Sequence, residues 1–196
     1  MKKVSNEEAR SLVPRSPKKI VILDRDGIIN EDSPAYIKSK EEFVFLPGSI
    51  DAIVQLTAAG YRIGVATNQS GIARDLYGEV QLAEIHDKMI AGIALAGGRI
   101  DEIMYCPHAP DEHCQCRKPK PGMLLDLARK FDCDARDLVF IGDKITDIQA
   151  AEQAGAQAVL VLSTMTKIDE FSTYHHVPVY DSLQQYVHAL LGTAKS

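Results

Sequence analysis

The sequence contains no apolar run long enough to cross a bilayer, which takes about 20 consecutive residues. Its opening stretch, Met1 to Lys19, carries charges but no apolar h-region, so no secretory signal is expected. These absences make the cytoplasm the expected compartment and argue against a membrane partner. Positive charge is also in short supply: lysine and arginine total 22 against 27 acidic residues, for a net charge of −5. A general nucleic-acid binder normally carries a basic surface, so that class is not expected. An acidic chain can still bind an anion where a few cations are focused. Internal repeats, low-complexity tracts and domain linkers are missing as well. What remains, 45% apolar and 25% charged over 196 residues, suffices for one ordinary globular domain. A polar tail over 1–17, containing Pro14 and Pro17, and a single domain over 18–192 are expected. The expected unit is a monomer acting on a small molecule.

Apolar runs alternate with stretches of helical spacing. Lys19 to Leu23 reads as a strand covered on both faces. Ile50, Ile53 and Val54, after Pro47-Gly48, begin a helix. Further strands are expected at Arg62 to Thr67, Ile100 to Tyr105, Leu138 to Ile141 and Ala158 to Leu162. Helices are expected around Leu82 to Ile93, Leu124 to Phe131, Ile145 to Ala154 and Ser182 to Leu191, with Pro121 in the first turn of its helix. Thr164 to Val179 shows no readable pattern. The alternation predicts an α/β protein: a doubly wound, mostly parallel, Rossmann-like sheet with helices on both faces. Ligands in such sheets bind beyond the carboxyl ends of the strands. Residues able to do chemistry fall there: Asp24 and Asp26, Thr67 and Asn68, Asp143 and Lys144, and Arg117-Lys118 in the loop after the third strand.

Asp24 and Asp26 are two apart, so in an extended segment their side chains point the same way. Gly27 lets the backbone turn sharply beside them. Adjacent carboxylates repel, and Mg²⁺, which favours oxygen ligands, would relieve this, with Asp143 adding an oxygen. One carboxylate can attack phosphorus; the other can protonate the leaving oxygen and then activate water. Thr67 and Lys118 suit the neutralisation of a transferring phosphoryl group. Each aspartate alone reads equally well as a helix cap. A receiver domain would also combine acids, Thr and Lys, but the Asp-Arg-Asp-Gly spacing and the cysteine loop do not suit it.

Cysteine is scarce, with four in the chain, yet Cys106, Cys114 and Cys116 fall within eleven residues. In a reducing compartment this cluster reads as a metal site. Cys106-x-His108 and Cys114-x-Cys116 form two pairs, each with both side chains on one face of an extended segment. Cys₃His is a usual tetrahedral Zn²⁺ set, and a closed set has a structural task. His113 adjoins Cys114 and would point away, so His108 is the preferred fourth ligand. Such a site would pin the loop presenting Arg117 and Lys118. Cys133 is isolated and has no assigned role; His86, His175, His176 and His188 read as surface or packing residues.

The motifs resemble those of the haloacid dehalogenase (HAD) superfamily of phosphatases over roughly residues 19–163. They are Asp24-Arg25-Asp26-Gly27-Ile28, Thr67 in Ala66-Thr67-Asn68-Gln69-Ser70-Gly71, Lys118 in Cys116-Arg117-Lys118-Pro119, and Gly142-Asp143-Lys144-Ile145-Thr146-Asp147. Ile28 departs from the usual Thr or Val. The resemblance implies Asp24 as nucleophile, Asp26 as general acid/base, and catalytic Mg²⁺ held by Asp24, the Asp26 backbone carbonyl and Asp143. Thr67 and Lys118 would hold the phosphoryl group. Asp147 either supports Asp143 or lies on the helix surface. Thr67 to Arg74, the cysteine loop and Pro121-Gly122-Met123 bring the chain closer to the heptose-bisphosphate phosphatase branch. That branch implies hydrolysis of a sugar bisphosphate through an aspartyl-phosphate, with structural Zn²⁺. A histidinol-phosphate phosphatase branch shares the first motif and a similar metal loop but usually has Arg in place of Lys144. A non-catalytic zinc-loop interaction module is the alternative of another class. No long insertion follows Gly27 or the second motif, so a capless, open site is expected. Arg117, with its planar fork of donors, is the candidate for the distal phosphate, with Lys144 assisting. Asn68, Gln69 and Ser70 are expected at the substrate; Asp32 and Ser33 either reach sugar hydroxyls or serve a turn.

Overall fold

The computed structural model describes residues 19–193. The expected tail over 1–17 lies outside them. Six strands form one sheet: β1 (Ile20–Leu23), β2 (Arg62–Asn68), β3 (Glu102–Cys106), β4 (Leu138–Gly142), β5 (Gln157–Val161) and β6 (Val179–Tyr180). All neighbours pair in parallel, in the order β3-β2-β1-β4-β5-β6. The helices are α1 (Ser49–Ala58), α2 (Glu79–Leu95), α3 (Gly122–Lys130), α4 (Ile145–Ala154) and α5 (Leu183–Thr193).

β1 shows why the sheet takes this form. All four of its side chains are buried, and they alternate between two cores. Val21 and Leu23 face Ile53 and Leu56 of α1, Ile85 and Met89 of α2, and Val187 of α5. Ile20 and Ile22 face Leu124 and Leu127 of α3 and Ala150 and Ala151 of α4. Burying each such side chain contributes about 1.5–3 kcal/mol, which only a strand covered on both faces can collect in full. The expected α/β architecture is therefore present. The chain winds outward from β1 through β2 to β3, then crosses to β4 on the other side. The reversal places a crevice at the carboxyl ends of β1 and β4, where Asp24 and Asp143 lie.

Several bounds shift by one or two residues from the sequence reading, as for β3, which begins at Glu102 and not Ile100, and two features differ in kind. Pro121 stands just outside α3 as its N-cap, not within the first turn. β6, with two residues, emerges from the unreadable stretch; it is too short to show periodicity and is preceded by Pro178. Among the described residues, no helix is long and apolar enough to cross a membrane.

Candidate active site

Asp24 leaves the end of β1 with its N–H donated to the Ile141 carbonyl of β4 at 2.8 Å, so the two strand ends are tied at the acid itself. Its Oδ1 accepts the Arg25 N–H at 2.7 Å and lies 2.9 Å from Lys118 Nζ. Lys118 comes from the loop before α3 and is 3% exposed. Its ammonium also meets Asp147 Oδ1 at 2.7 Å and donates to the Ala66 carbonyl at 3.0 Å. Burial works against that charge, but Asp147 and Asp24 outweigh it and hold the lysine above its ordinary value. Asp147 is buried, so its place is in the site and not on the helix surface. Its Oδ2 accepts the Lys144 N–H at 3.0 Å, capping α4 from inside.

Asp143 follows Gly142 at the end of β4 and is fully buried. Its Oδ2 accepts the Ser163 hydroxyl at 2.7 Å; its Oδ1 has no hydrogen-bond partner among the described residues. Gly27 faces it with φ +89°, and a Cβ there would lie 2.4 Å from Asp143 Oδ2. Only glycine permits both this backbone and this approach. Carboxylate oxygens of Asp24, Asp143 and Asp147 lie within 4.8 Å of one another. Burial pushes Asp24 up to about 6, against the pull of Lys118, and Asp143 up to about 7, against Lys144. An orphaned buried oxygen and two acids burdened by their own charge suit a divalent cation.

The Asp26 carboxylate departs from the expectation that it points the same way as that of Asp24. It is not part of the acid cluster. The buried Arg25 guanidinium folds onto it, with Nε at 3.1 Å and Nη2 at 2.8 Å from Oδ1. Asn30 Nδ2 and Gln69 Nε2 add bonds of 2.9 Å each. Burial alone would raise Asp26, but Arg25 and these donors hold its carboxyl below the usual range.

The cleft in front of these groups has a volume of about 510 Å³, and its lining includes Thr67, Asn68, Gln69, Ser70, Asp32, Ser33, Arg117 and Lys144. The structure thus brings these expected residues to one cleft, but several are committed internally. Asn68 Nδ2 donates to the Lys118 carbonyl and Asn68 Oδ1 accepts the Lys118 N–H, each at 3.1 Å. Gln69 Nε2 also donates to Thr67 Oγ1 at 2.8 Å, and Gln69 Oε1 accepts the Tyr77 hydroxyl at 2.6 Å. Both amides brace the site as well as lining it. Lys144 Nζ is 2.7 Å from Asp32 Oδ2, which neutralises it in the free protein. The Ser33 hydroxyl accepts the Ala35 N–H at 3.1 Å, the turn chemistry weighed above.

Beyond β3, Cys106, His108, Cys114 and Cys116 bring four ligand atoms within 4.8 Å. The Sγ separations are 3.2, 3.5 and 3.6 Å, and His108 Nδ1 is 3.3 Å from Cys116 Sγ and 3.5 Å from Cys106 Sγ. The edge of a tetrahedron around Zn²⁺ with thiolate ligands is about 3.8 Å, so the set fits that ion. His113 is outside it. The cluster is joined to the cleft: Arg117 Nη1 donates to the His108 carbonyl at 3.2 Å and the Arg117 N–H points to Cys114 Sγ at 3.4 Å.

Comparison with known proteins agrees with this geometry. A HAD-hydrolase-like family model matches residues 115–186. The D-glycero-beta-D-manno-heptose-1,7-bisphosphate 7-phosphatase of Bordetella bronchiseptica is 50% identical over 143 residues, covering 73% of this chain and 80% of that protein. The enzyme of that name from Pseudomonas putida is 53% identical over 143 residues, covering 73% and 82%. The chain belongs to the heptose-bisphosphate phosphatase family of HAD hydrolases. A crystal structure of the D,D-heptose 1,7-bisphosphate phosphatase from B. bronchiseptica, complexed with magnesium and phosphate, superposes with a TM-score of 0.85 at 43% identity, covering 89% of this chain and 99% of that one. Membership accounts for the phosphatase class and the HAD core.

Sequence reading missed Arg25, Tyr77, Ser163 and Thr166. Ser163 and Thr166 could have been found by the carboxyl-end rule, since they follow β5 just as Asp143 follows β4.

Proposed function

We propose that this protein removes the C7 phosphate from D-glycero-beta-D-manno-heptose 1,7-bisphosphate, leaving the 1-phosphate for nucleotide activation. The observation that carries the reading is the juxtaposition of a buried Asp24–Lys118–Asp147 charge system with a cleft lined by the separate cations Arg117 and Lys144. A monophosphate needs only the first group; a bisphosphate needs both. The names borne by the relatives support this substrate.

In this mechanism Asp24 attacks the C7 phosphorus through Oδ2, since Oδ1 is engaged by Lys118 and the Arg25 N–H. Thr67 and Lys118 hold the phosphoryl oxygens. Asp26 takes up a proton as it leaves Arg25 and Gln69 and gives it to the departing sugar oxygen; the carboxylate so formed then removes a proton from the water that hydrolyses the aspartyl-phosphate, which restores the acid. Asp24, Asp143 and the Asp26 backbone oxygen would hold Mg²⁺, which neutralises charge on the phosphoryl group when bound. Arg117 receives the distal phosphate, and Lys144 joins it by exchanging Asp32 for substrate. Asp32 and Ser33 face the sugar hydroxyls, and Ser70 lines the phosphoryl end. Cys106, His108, Cys114 and Cys116 would hold a structural Zn²⁺ that fixes Arg117. The working unit is a single domain, a monomer, in the cytoplasm.

Phosphate release from a panel of sugar mono- and bisphosphates and histidinol phosphate tests the reading. The heptose bisphosphate should give the highest kcat/KM. A value for histidinol phosphate equal to or above it would overturn the substrate assignment.

A further inference from the structure

The segment after β5 carries two hydroxyl residues that touch Asp143 from outside the cleft. Ser163 Oγ donates to Asp143 Oδ2 at 2.7 Å. Ser163 Oγ also accepts the Met165 N–H at 3.0 Å, which leaves its own hydrogen for the carboxylate. Thr166 Oγ1 accepts the Ser163 N–H at 2.9 Å and donates to the Asp143 backbone carbonyl at 2.9 Å. The carboxylate and the carbonyl of one residue are thus both tied to a single short turn.

The two oxygens of Asp143 consequently differ. Oδ2 accepts the Ser163 hydroxyl and is crowded by the Gly27 backbone, where even a Cβ would come within 2.4 Å. Oδ1 is buried without a hydrogen bond, with Lys144 Nζ at 3.6 Å as its nearest charged group in the ion-pair network. A carboxylate so held presents its two oxygens unequally to a cation.

We propose that Ser163, supported by Thr166, is a positioning residue that restricts Asp143 to one ligand oxygen and so sets the preference of the site for Mg²⁺ over Ca²⁺. Mg²⁺ demands a compact octahedron of single oxygens, whereas Ca²⁺ takes six to eight oxygens and readily accepts both from one carboxylate. Holding Oδ2 away leaves the Mg²⁺ ligand set intact and denies Ca²⁺ its extra oxygen. Outer-sphere partners of this kind commonly tune metal affinity by 10- to 100-fold. The inference rests on the cation assignment made above, but not on the identity of the sugar.

Calorimetric titration of the full-length protein with MgCl₂ and, separately, with CaCl₂, without substrate, tests it. Ser163→Ala should weaken Mg²⁺ binding about 10-fold while Ca²⁺ binding weakens less or tightens, so the Mg²⁺/Ca²⁺ preference narrows. Ser163→Thr, which keeps the hydroxyl, should restore the wild-type preference. Thr166→Val leaves the Ser163 hydroxyl in place and should narrow the preference in the same direction by a smaller factor; it decides the matter should Ser163→Ala fold poorly. Equal weakening of both ions, or an unchanged ratio in the variants, overturns the proposal. A protein that binds Mg²⁺ as described but releases no phosphate from any sugar bisphosphate contradicts the proposed function and leaves this inference standing.

Discussion

The acids at the ends of β1 and β4 and the sulfur cluster after β3 each gather ligand atoms within 4.8 Å, but their surroundings are opposite. The acid cluster is buried in all three members, already holds Lys118 between two carboxylates, and opens onto the cleft. The sulfur cluster is only partly buried, has four N and S ligands, and has no lysine or arginine side chain paired to its ligand atoms among the described residues. A full tetrahedral set closes its ion off, whereas a few carboxylates around Mg²⁺ leave positions for water and phosphate. The first arrangement can do chemistry. The second, closed around an ion, would pin the loop that carries Arg117 and Lys118.

The division makes graded predictions. Asp24→Asn keeps the volume and removes the attacking charge; turnover should fall by about four orders of magnitude or more with the melting temperature little changed, by steady-state kinetics and calorimetry. Cys116→Ser acts at the other centre. Bound zinc, read by elemental analysis, should fall below one equivalent, kcat/KM should drop about 100-fold, and the melting temperature should fall. Wild-type activity in that variant would break the link between the sulfur cluster and the cleft. Asn68→Ala removes the clasp on the Lys118 backbone and should lower kcat about 10-fold with a smaller change in KM.

The smallest effect concerns pH. Asp24 at about 6 and Asp143 at about 7 are raised above the ordinary 3.8, so the folded protein retains protons that the unfolded chain has lost. Without metal, their contribution to stability is present below about pH 4 and is lost as pH rises through about 7. Mg²⁺ bound to these acids would displace those protons. The rise in melting temperature on adding MgCl₂ should therefore be larger at about pH 8 than at about pH 5.5, and a pH-independent rise would count against the acid cluster as the cation site.

The sheet and most of the cleft were legible because their signals are local. β1 and β4 are apolar runs followed directly by Asp24 and Asp143, and β2 has an apolar middle and closes on Thr67-Asn68. The cysteine spacing likewise determined which four residues converge, and it separated His108 from His113 correctly. What could not be read was direction. Asp26 lies two residues from Asp24, yet its carboxylate turns to its neighbour Arg25, because a buried guanidinium requires a partner. Asn68 and Gln69 look like ligand contacts by type, but their amides fasten Lys118, Thr67 and Asp26. Thr166 and the start of β6 belong to the stretch without periodicity, and Ser163 stands at its edge; their order comes from contacts with β5 and Asp143.

The most direct test of the account is to catch the phosphoryl group on the protein. Wild-type enzyme mixed with the heptose bisphosphate and Mg²⁺, quenched rapidly in acid and digested, should yield a phosphorylated peptide by mass spectrometry with the group on Asp24. Phosphate release in every quench with no acyl-phosphate at Asp24, or a phosphoryl group on another residue, would contradict it.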